Sequence, residues 1–166
     1  MNTPPPIAST FADGPLGRML LAASPQGLCG LWFTDGQGDC PDHRGWPIDA
    51  SHPVLVSAID QVRRYFDGQL HDFDLPLDMS AGTPFQQSAW HTLLGIPWGI
   101  TISYGELARR MGKPSASRAA GAAIGRNPIS IIVPCHRVVG ANGALTGYTG
   151  GLHRKIDLLR LEQALI

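Results

Sequence analysis

The sequence predicts an α+β protein of two domains, a mixed α/β domain over residues 1–80 and a mainly helical one over 81–166. Three observations predict it. Short apolar runs broken by Gly/Pro turns fill residues 7–34, as antiparallel strands do. Capped amphipathic helical patterns dominate from Thr83 onward. Two short helical patterns joined by a tight turn, Gly112-Lys113-Pro114, form a helix-turn-helix.

The elements follow in order. Gly14-Pro15-Leu16-Gly17 and Ser24-Pro25-Gln26-Gly27 are turns, which makes Arg18–Ala23 and Leu28–Phe33 strands. The lead-in over residues 1–6 reads as extended or disordered, and residues 35–50 as a plain loop. Ser51 is placed to cap a helix through Phe66, with Val54, Ile59, Val62 and Phe66 on or near one face and Asp67-Gly68 ending it. Phe73–Leu77 alternates like an edge strand.

In the second half, Thr83-Pro84-Phe85-Gln86 carries a capping box with proline at the first helical position. Phe85, Ala89, Trp90, Leu93 and Leu94 form its apolar stripe. Ser103-Tyr104-Gly105-Glu106 repeats the box. Ser115 is placed to cap the second helix of the helix-turn-helix, from Ala116 to Arg126, which Asn127-Pro128 ends. That helix offers methyl groups, Gly121 and a single Arg118, with Ala119 beside it. Such a surface suits close, shape-based contact with DNA rather than base readout; an Ala-rich helix packed on a neighbour is the alternative. Ile131–Val133 resembles a buried strand that Pro134 ends, and Leu152–Leu165 is a final helix with a stripe through Leu152, Ile156 and Leu159.

The net charge of zero divides unevenly. Residues 1–100 hold four Arg/Lys against ten Asp, and residues 101–166 hold nine Arg/Lys against three acids. A basic half suits a polyanion-binding face. No apolar run approaches the ~20 residues that span a bilayer, and Met1–Pro6 lacks signal-peptide regions. Cys29, Cys40 and Cys135 have no disulfide spacing, so a reducing cytoplasm is the expected setting. Cys29, Cys40, His43 and His52 match no common zinc pattern.

Cys135-His136 carries the chemistry. A thiol becomes a strong nucleophile as thiolate, which a neighbouring base supplies. Glu162 continues the inward stripe of the last helix, where a carboxylate needs a partner. His136 fits, giving a Cys-His-acid relay; a solvated Glu162 at the helix rim is the equal alternative. Gly140-Ala141-Asn142-Gly143 and Gly147-Tyr148-Thr149-Gly150-Gly151 make a wall that a flat ligand can approach.

Seven motifs stand in register over residues 82–162: Gly82-Thr83-Pro84-Phe85-Gln86-Gln87, Ile96-Pro97-Trp98-Gly99, Ser103-Tyr104-Gly105, Arg118-Ala119-Ala120-Gly121, Asn127-Pro128, Pro134-Cys135-His136-Arg137-Val138 and Gly147-Tyr148-Thr149-Gly150-Gly151-Leu152. They resemble those of the O6-alkylguanine-DNA alkyltransferase family of direct-reversal repair proteins. The resemblance implies a ribonuclease H-like N-terminal domain and a winged helix-turn-helix in the second.

It also implies a role for each residue. Cys135 is the alkyl acceptor, His136 its water-mediated base, Glu162 the acid behind it, and Asn127 the hinge. Arg118 enters the base stack, Tyr104 crowds the target phosphate, and Val138 and Cys135 offer carbonyls to the guanine amine. Tyr148 and Thr149 line the pocket, while Ala119, Gly121 and Arg137 fall among the DNA- and substrate-facing residues. Thr149 stands where many relatives have Ser, and Ala120 where Val is frequent. The implied partner is double-stranded DNA carrying O6-alkylguanine, with O4-alkylthymine a further candidate substrate. No metal or organic cofactor is implied, and the working form is a monomer, alone or loaded cooperatively on DNA. A lesion sensor, a helix-turn-helix regulator and a Cys-His hydrolase are the competing readings.

Overall fold

The computed structural model describes residues 4–36 and 38–165. Strands β1 (Ala8–Gly14), β2 (Gly17–Ser24) and β3 (Gly27–Phe33) form an antiparallel sheet in the order β1-β2-β3. Met19–Ala23 of β2 and Leu28–Phe33 of β3 lack charged or strongly polar side chains because both sheet faces are covered. Met19, Leu21, Ala23, Leu28, Leu31 and Phe33 enter the main core, whereas Leu20, Ala22 and Trp32 pack with Phe11, Cys29, Cys40 and Trp46. The segment read as a plain loop therefore closes the second face, and Pro47 accepts hydrogen bonds from both the amide and the hydroxyl of Ser9. Residues 1–3 of the expected lead-in lie outside the described residues, and Pro6 is already buried.

Helix α1 (Pro53–Phe66) lies on the main core through Leu55, Ala58, Val62 and Tyr65. Its cap is His52, whose Nδ1 accepts from the Val54 amide at 3.3 Å. Ser51, the expected cap, instead bonds to Asp49. Phe73–Leu77 is not a regular strand. The side-chain amide of Gln61 takes both the amide and the carbonyl of Asp74, leaving Leu77 alone to bridge Leu28.

Helix α2 (Pro84–Leu93) starts on the reciprocal Thr83–Gln86 capping box. Ser103 caps α3 (Tyr104–Arg110), but Glu106 turns outward to Arg109 and Arg110 and does not close a second box. Helix α4 (Ser117–Ile124) is shorter than its pattern predicted and is capped by Ala116, because residues 113–116 close a turn of their own. Trp90 of α2 donates to the Ala123 carbonyl of α4 at 2.8 Å, tying the helices together. Two short strands, β4 (Ile102–Ser103) and β5 (Val138–Val139), pair in parallel.

The last helix, α5 (Leu152–Leu161), ends four residues before the expected Leu165, and Leu152 is 43% exposed. Its inward face is Arg154, Lys155, Leu158 and Leu159. No helix among the described residues is long and apolar enough to cross a membrane.

The free edge of β3 joins the two halves. Leu28 exchanges backbone hydrogen bonds with Pro76 and Asp78, and Leu31 with Pro128 and Ser130. Gly27 permits the first contact, since a Cβ there would stand 2.4 Å from the Pro76 carbonyl oxygen. The second pins the segment that leads into Cys135.

Candidate active site

Asn127 shapes that segment. Its Oδ1 accepts from the Ile129 amide at 2.9 Å, and its Nδ2 donates to the Val133 carbonyl at 2.8 Å and to Cys135 Sγ at 3.3 Å. The expected Ile131–Val133 strand is absent. With the sheet contact ending at Ser130 and Val133 drawn back to Asn127, the chain must turn, and Ile131 takes φ 72°. A β-branched residue there stores strain of about 1–3 kcal/mol, which the surrounding bonds hold. Cys135 then opens a single 3₁₀ turn, Cys135–Arg137.

His136 is fully buried, and its Nε2 lies 2.7 Å from Glu162 Oε2. Glu162 caps the C-terminus of α5 and is 1% exposed, which decides between the two sequence readings in favour of burial. It accepts two further bonds from Arg137, Nε to Oε1 at 2.7 Å and Nη2 to Oε2 at 3.0 Å, and one from the Tyr65 hydroxyl at 2.5 Å. Burial pushes the Glu162 carboxyl up, but the bonds from His136 and Arg137 outweigh it and hold the group at about 2. An ionised carboxylate only accepts. Nε2 of His136 therefore carries its proton and Nδ1 presents the lone pair. Nδ1 has no hydrogen-bond partner among the described residues. Burial lowers the His136 pKa, with Glu162 opposing, so the ring rests neutral.

Burial raises the Cys135 thiol to about 11, against the opposing pull of the Asn127 bond and the Lys155 charge. The resting cysteine is a thiol, and the residue after it is a neutral base. It lines a cavity of about 180 Å³ with Tyr104, Gly121, Ile124, Tyr148 and Thr149. Gly121 packs closely there, since a Cβ would meet the Tyr104 ring at 3.3 Å and the ring would have to give by a few tenths of an ångström. Thr149 Oγ1 donates to the Gly125 carbonyl at 2.7 Å and Tyr104 to the Thr146 carbonyl at 3.3 Å, fastening the 146–149 wall to the helices.

Comparison with known proteins places this architecture. The model of the 6-O-methylguanine DNA methyltransferase ribonuclease-like domain matches residues 7–79, and that of the DNA binding domain matches residues 84–164. A Mycobacterium tuberculosis protein named methylated-DNA–protein-cysteine methyltransferase is 47% identical over 152 residues, 92% of this chain and 90% of that one. A Methanosarcina acetivorans protein of the same name is 46% identical over 150 residues, 90% and 94% of the two chains. The crystal structure of M. tuberculosis OGT in complex with DNA aligns with a TM-score of 0.86 at 45% identity, over 95% of this chain and 94% of that one.

The chain belongs to the 6-O-methylguanine DNA methyltransferase family.

In this family member the expected site residues do not all meet. Cys135, Tyr104, Gly121, Tyr148 and Thr149 share one cavity, and Asn127, His136 and Glu162 lie behind it. Arg118 and Ala119 stand exposed on α4, outside the cavity. Arg137, expected to face DNA or substrate, is instead 6% exposed and bound to Glu162 and the Ile96 carbonyl. The Val138 carbonyl, expected to meet the guanine amine, accepts from Lys155 Nζ at 2.6 Å.

The basic half is correspondingly less basic outside. Of its nine Arg/Lys, the three at Arg137, Arg154 and Lys155 are buried. Arg154 binds Leu16, Asp35 and Gly150, and Lys155 the Val138 and Thr146 carbonyls. The methyltransferase thus uses both cations to brace the 146–150 loop. Sequence reasoning missed them and Tyr65, although residues 154, 155, 158, 159 and 162 repeat at helical spacing.

Proposed function

We propose that this chain reverses O6-alkylation of guanine in duplex DNA by moving the alkyl group to Cys135, once per molecule. The observation that carries the reading is a buried Cys135 followed in the chain by a buried imidazole whose Nε2 is bound to an ionised Glu162 and whose Nδ1 has no hydrogen-bond partner among the described residues. His136 Nδ1, through water, takes the thiol proton as the sulfur attacks. The S–C bond forms, the C–O6 bond breaks, and guanine leaves as its anion against the Tyr104 hydroxyl, becoming neutral when Tyr104 gives up its proton, which the proton held on the imidazolium then replaces through water. The imidazolium is stabilised by Glu162. A thioether does not hydrolyse, so no second turnover follows.

The alkyl carbon lies inside the base stack, so the nucleotide is extruded into the cavity. Residues 103–126 with the β5 segment act as a winged helix-turn-helix. The exposed face of α4 enters the minor groove, Ala119 and Gly121 allow close approach, and Arg118 replaces the extruded base. Tyr148 and Thr149 wall the pocket, and the Cys135 carbonyl faces the guanine amine. Residues 1–80 form the scaffold and 81–166 the DNA-binding acceptor unit, which works as a monomer or as a cooperative array on DNA in the cytoplasm.

Intact-mass spectrometry after incubation with an O6-methylguanine oligonucleotide tests this. One added methyl, saturating at one per protein and absent in Cys135→Ser, is the expected result. Tight binding without a mass change would leave a lesion sensor instead.

A further inference from the structure

Glu162 receives its fourth hydrogen bond from outside the acceptor half. Tyr65 lies on α1, 97 residues away in sequence, and its hydroxyl reaches Oε2, the oxygen that also binds His136. Its ring is held by Phe66, Phe73 and Trp98 at centroid distances of 5.4, 5.4 and 5.3 Å. The hydroxyl is therefore aimed by packing and is not searching for a partner.

We infer that Tyr65 is a positioning residue through which the N-terminal domain takes part in alkyl transfer, by keeping Glu162 an acceptor so that His136 holds its Nε2 proton and works through Nδ1. Three donors on Oε2, from Tyr65, His136 and Arg137, fill that oxygen and reduce its pull on the imidazole proton. Without the phenol the carboxylate binds the imidazolium more strongly. His136 then charges at higher pH, where it can no longer act as a base. The other titratable or charged groups facing this cluster are Arg137 and Cys135 of the same turn, Lys155 of α5 and Tyr148 of the loop.

Tyr65→Phe keeps the ring and removes one donor. The first readout needs no substrate: the ¹⁵N shifts of the His136 ring against pH. The expected result is a His136 pKa higher by about half to one unit in Tyr65→Phe. The second rests on the function proposed above and is the single-turnover rate of methyl transfer from an O6-methylguanine oligonucleotide. Its rising limb should move to higher pH, with the rate about three- to tenfold lower on the acid side and converging on the unmodified protein's above the limb. An unmoved pKa with the rate lowered equally at all pH would make Tyr65 structural only and overturn the inference. If the unmodified protein transfers no methyl, the functional reading fails, and the ¹⁵N titration still decides Tyr65. If Tyr65→Phe does not fold, 3-fluorotyrosine at position 65, a stronger donor, should shift the His136 pKa downward, and no shift would again overturn it.

Discussion

Arg137 and Glu162 form a buried bidentate pair, Nε to Oε1 at 2.7 Å and Nη2 to Oε2 at 3.0 Å. Removing one member leaves the other charge uncompensated inside the protein, which typically costs about 3–5 kcal/mol. Arg137→Ala should lower the urea midpoint by that equivalent. Arg118→Ala, on the exposed face of α4, should leave the midpoint unchanged and slow alkyl transfer. Equal stability of the two variants would contradict the buried placement of Arg137.

The Cys135 thiol, raised to about 11 by burial, should be nearly inert at neutral pH. About one molecule in ten thousand then carries the thiolate at pH 7, following the difference between pKa and pH. In a Cys29→Ser/Cys40→Ser background, alkylation by iodoacetamide should rise about tenfold per pH unit up to about pH 11. Fast, pH-independent labelling at pH 6–7, followed by mass, would show a preformed thiolate.

Alkylation should loosen the protein. Sγ lies 3.3 Å from Asn127 Nδ2, and the same amide group holds Ile129 and Val133. A methyl on the sulfur crowds that group, and overpacking of this kind costs about 1–3 kcal/mol. Thermal unfolding before and after stoichiometric methylation should show a lower midpoint for the methylated form. An unchanged midpoint would mean the methyl is accommodated on the cavity side.

Acid should unfold the protein in two stages. The His136 pKa is depressed in the folded state, so the unfolded chain takes up its proton first and stability falls as pH drops below about 6.5. The Glu162 carboxyl is held at about 2 against an ordinary 4.5, a contribution of about 3 kcal/mol present above pH 4.5 and lost as pH falls from there toward 2. Denaturant titrations across pH should show both limbs. Glu162→Gln should lower stability at neutral pH and flatten the limb below pH 4.5.

Much of this was legible in the residues. The hairpins follow from Gly17 and Gly27, the start of α2 from the Thr83–Gln86 box, and the reactive trio from Cys135, His136 and the stripe position of Glu162. The failures share one physical origin. Ile131–Val133 read as a strand because its side chains favour one, yet the side-chain bonds of Asn127 and the distant backbone bonds of Leu31 dictate a turn. Arg137, Arg154 and Lys155 read as surface charge because burial of a cation depends on partners far away in sequence, such as Asp35 for Arg154. The expected face of α1, Val54, Ile59, Val62 and Phe66, left out Tyr65, which the helix buries together with Leu55, Ala58 and Val62, and periodicity cannot name what its hydroxyl meets.

The bareness of α4 has a consequence for how such a protein finds its target. A face of two methyls, Ala119 and Ala122, beside Arg118 and Arg126 weighs nearly the same on any stretch of duplex. Search is then blind to text. The dwell time at each position is decided by how readily a base leaves its neighbours, and a damaged pair, already weakened, yields soonest. On the function proposed above, discrimination resides in the mechanics of the DNA and in the cavity that would receive the base, so one small chain can inspect every sequence context with equal attention.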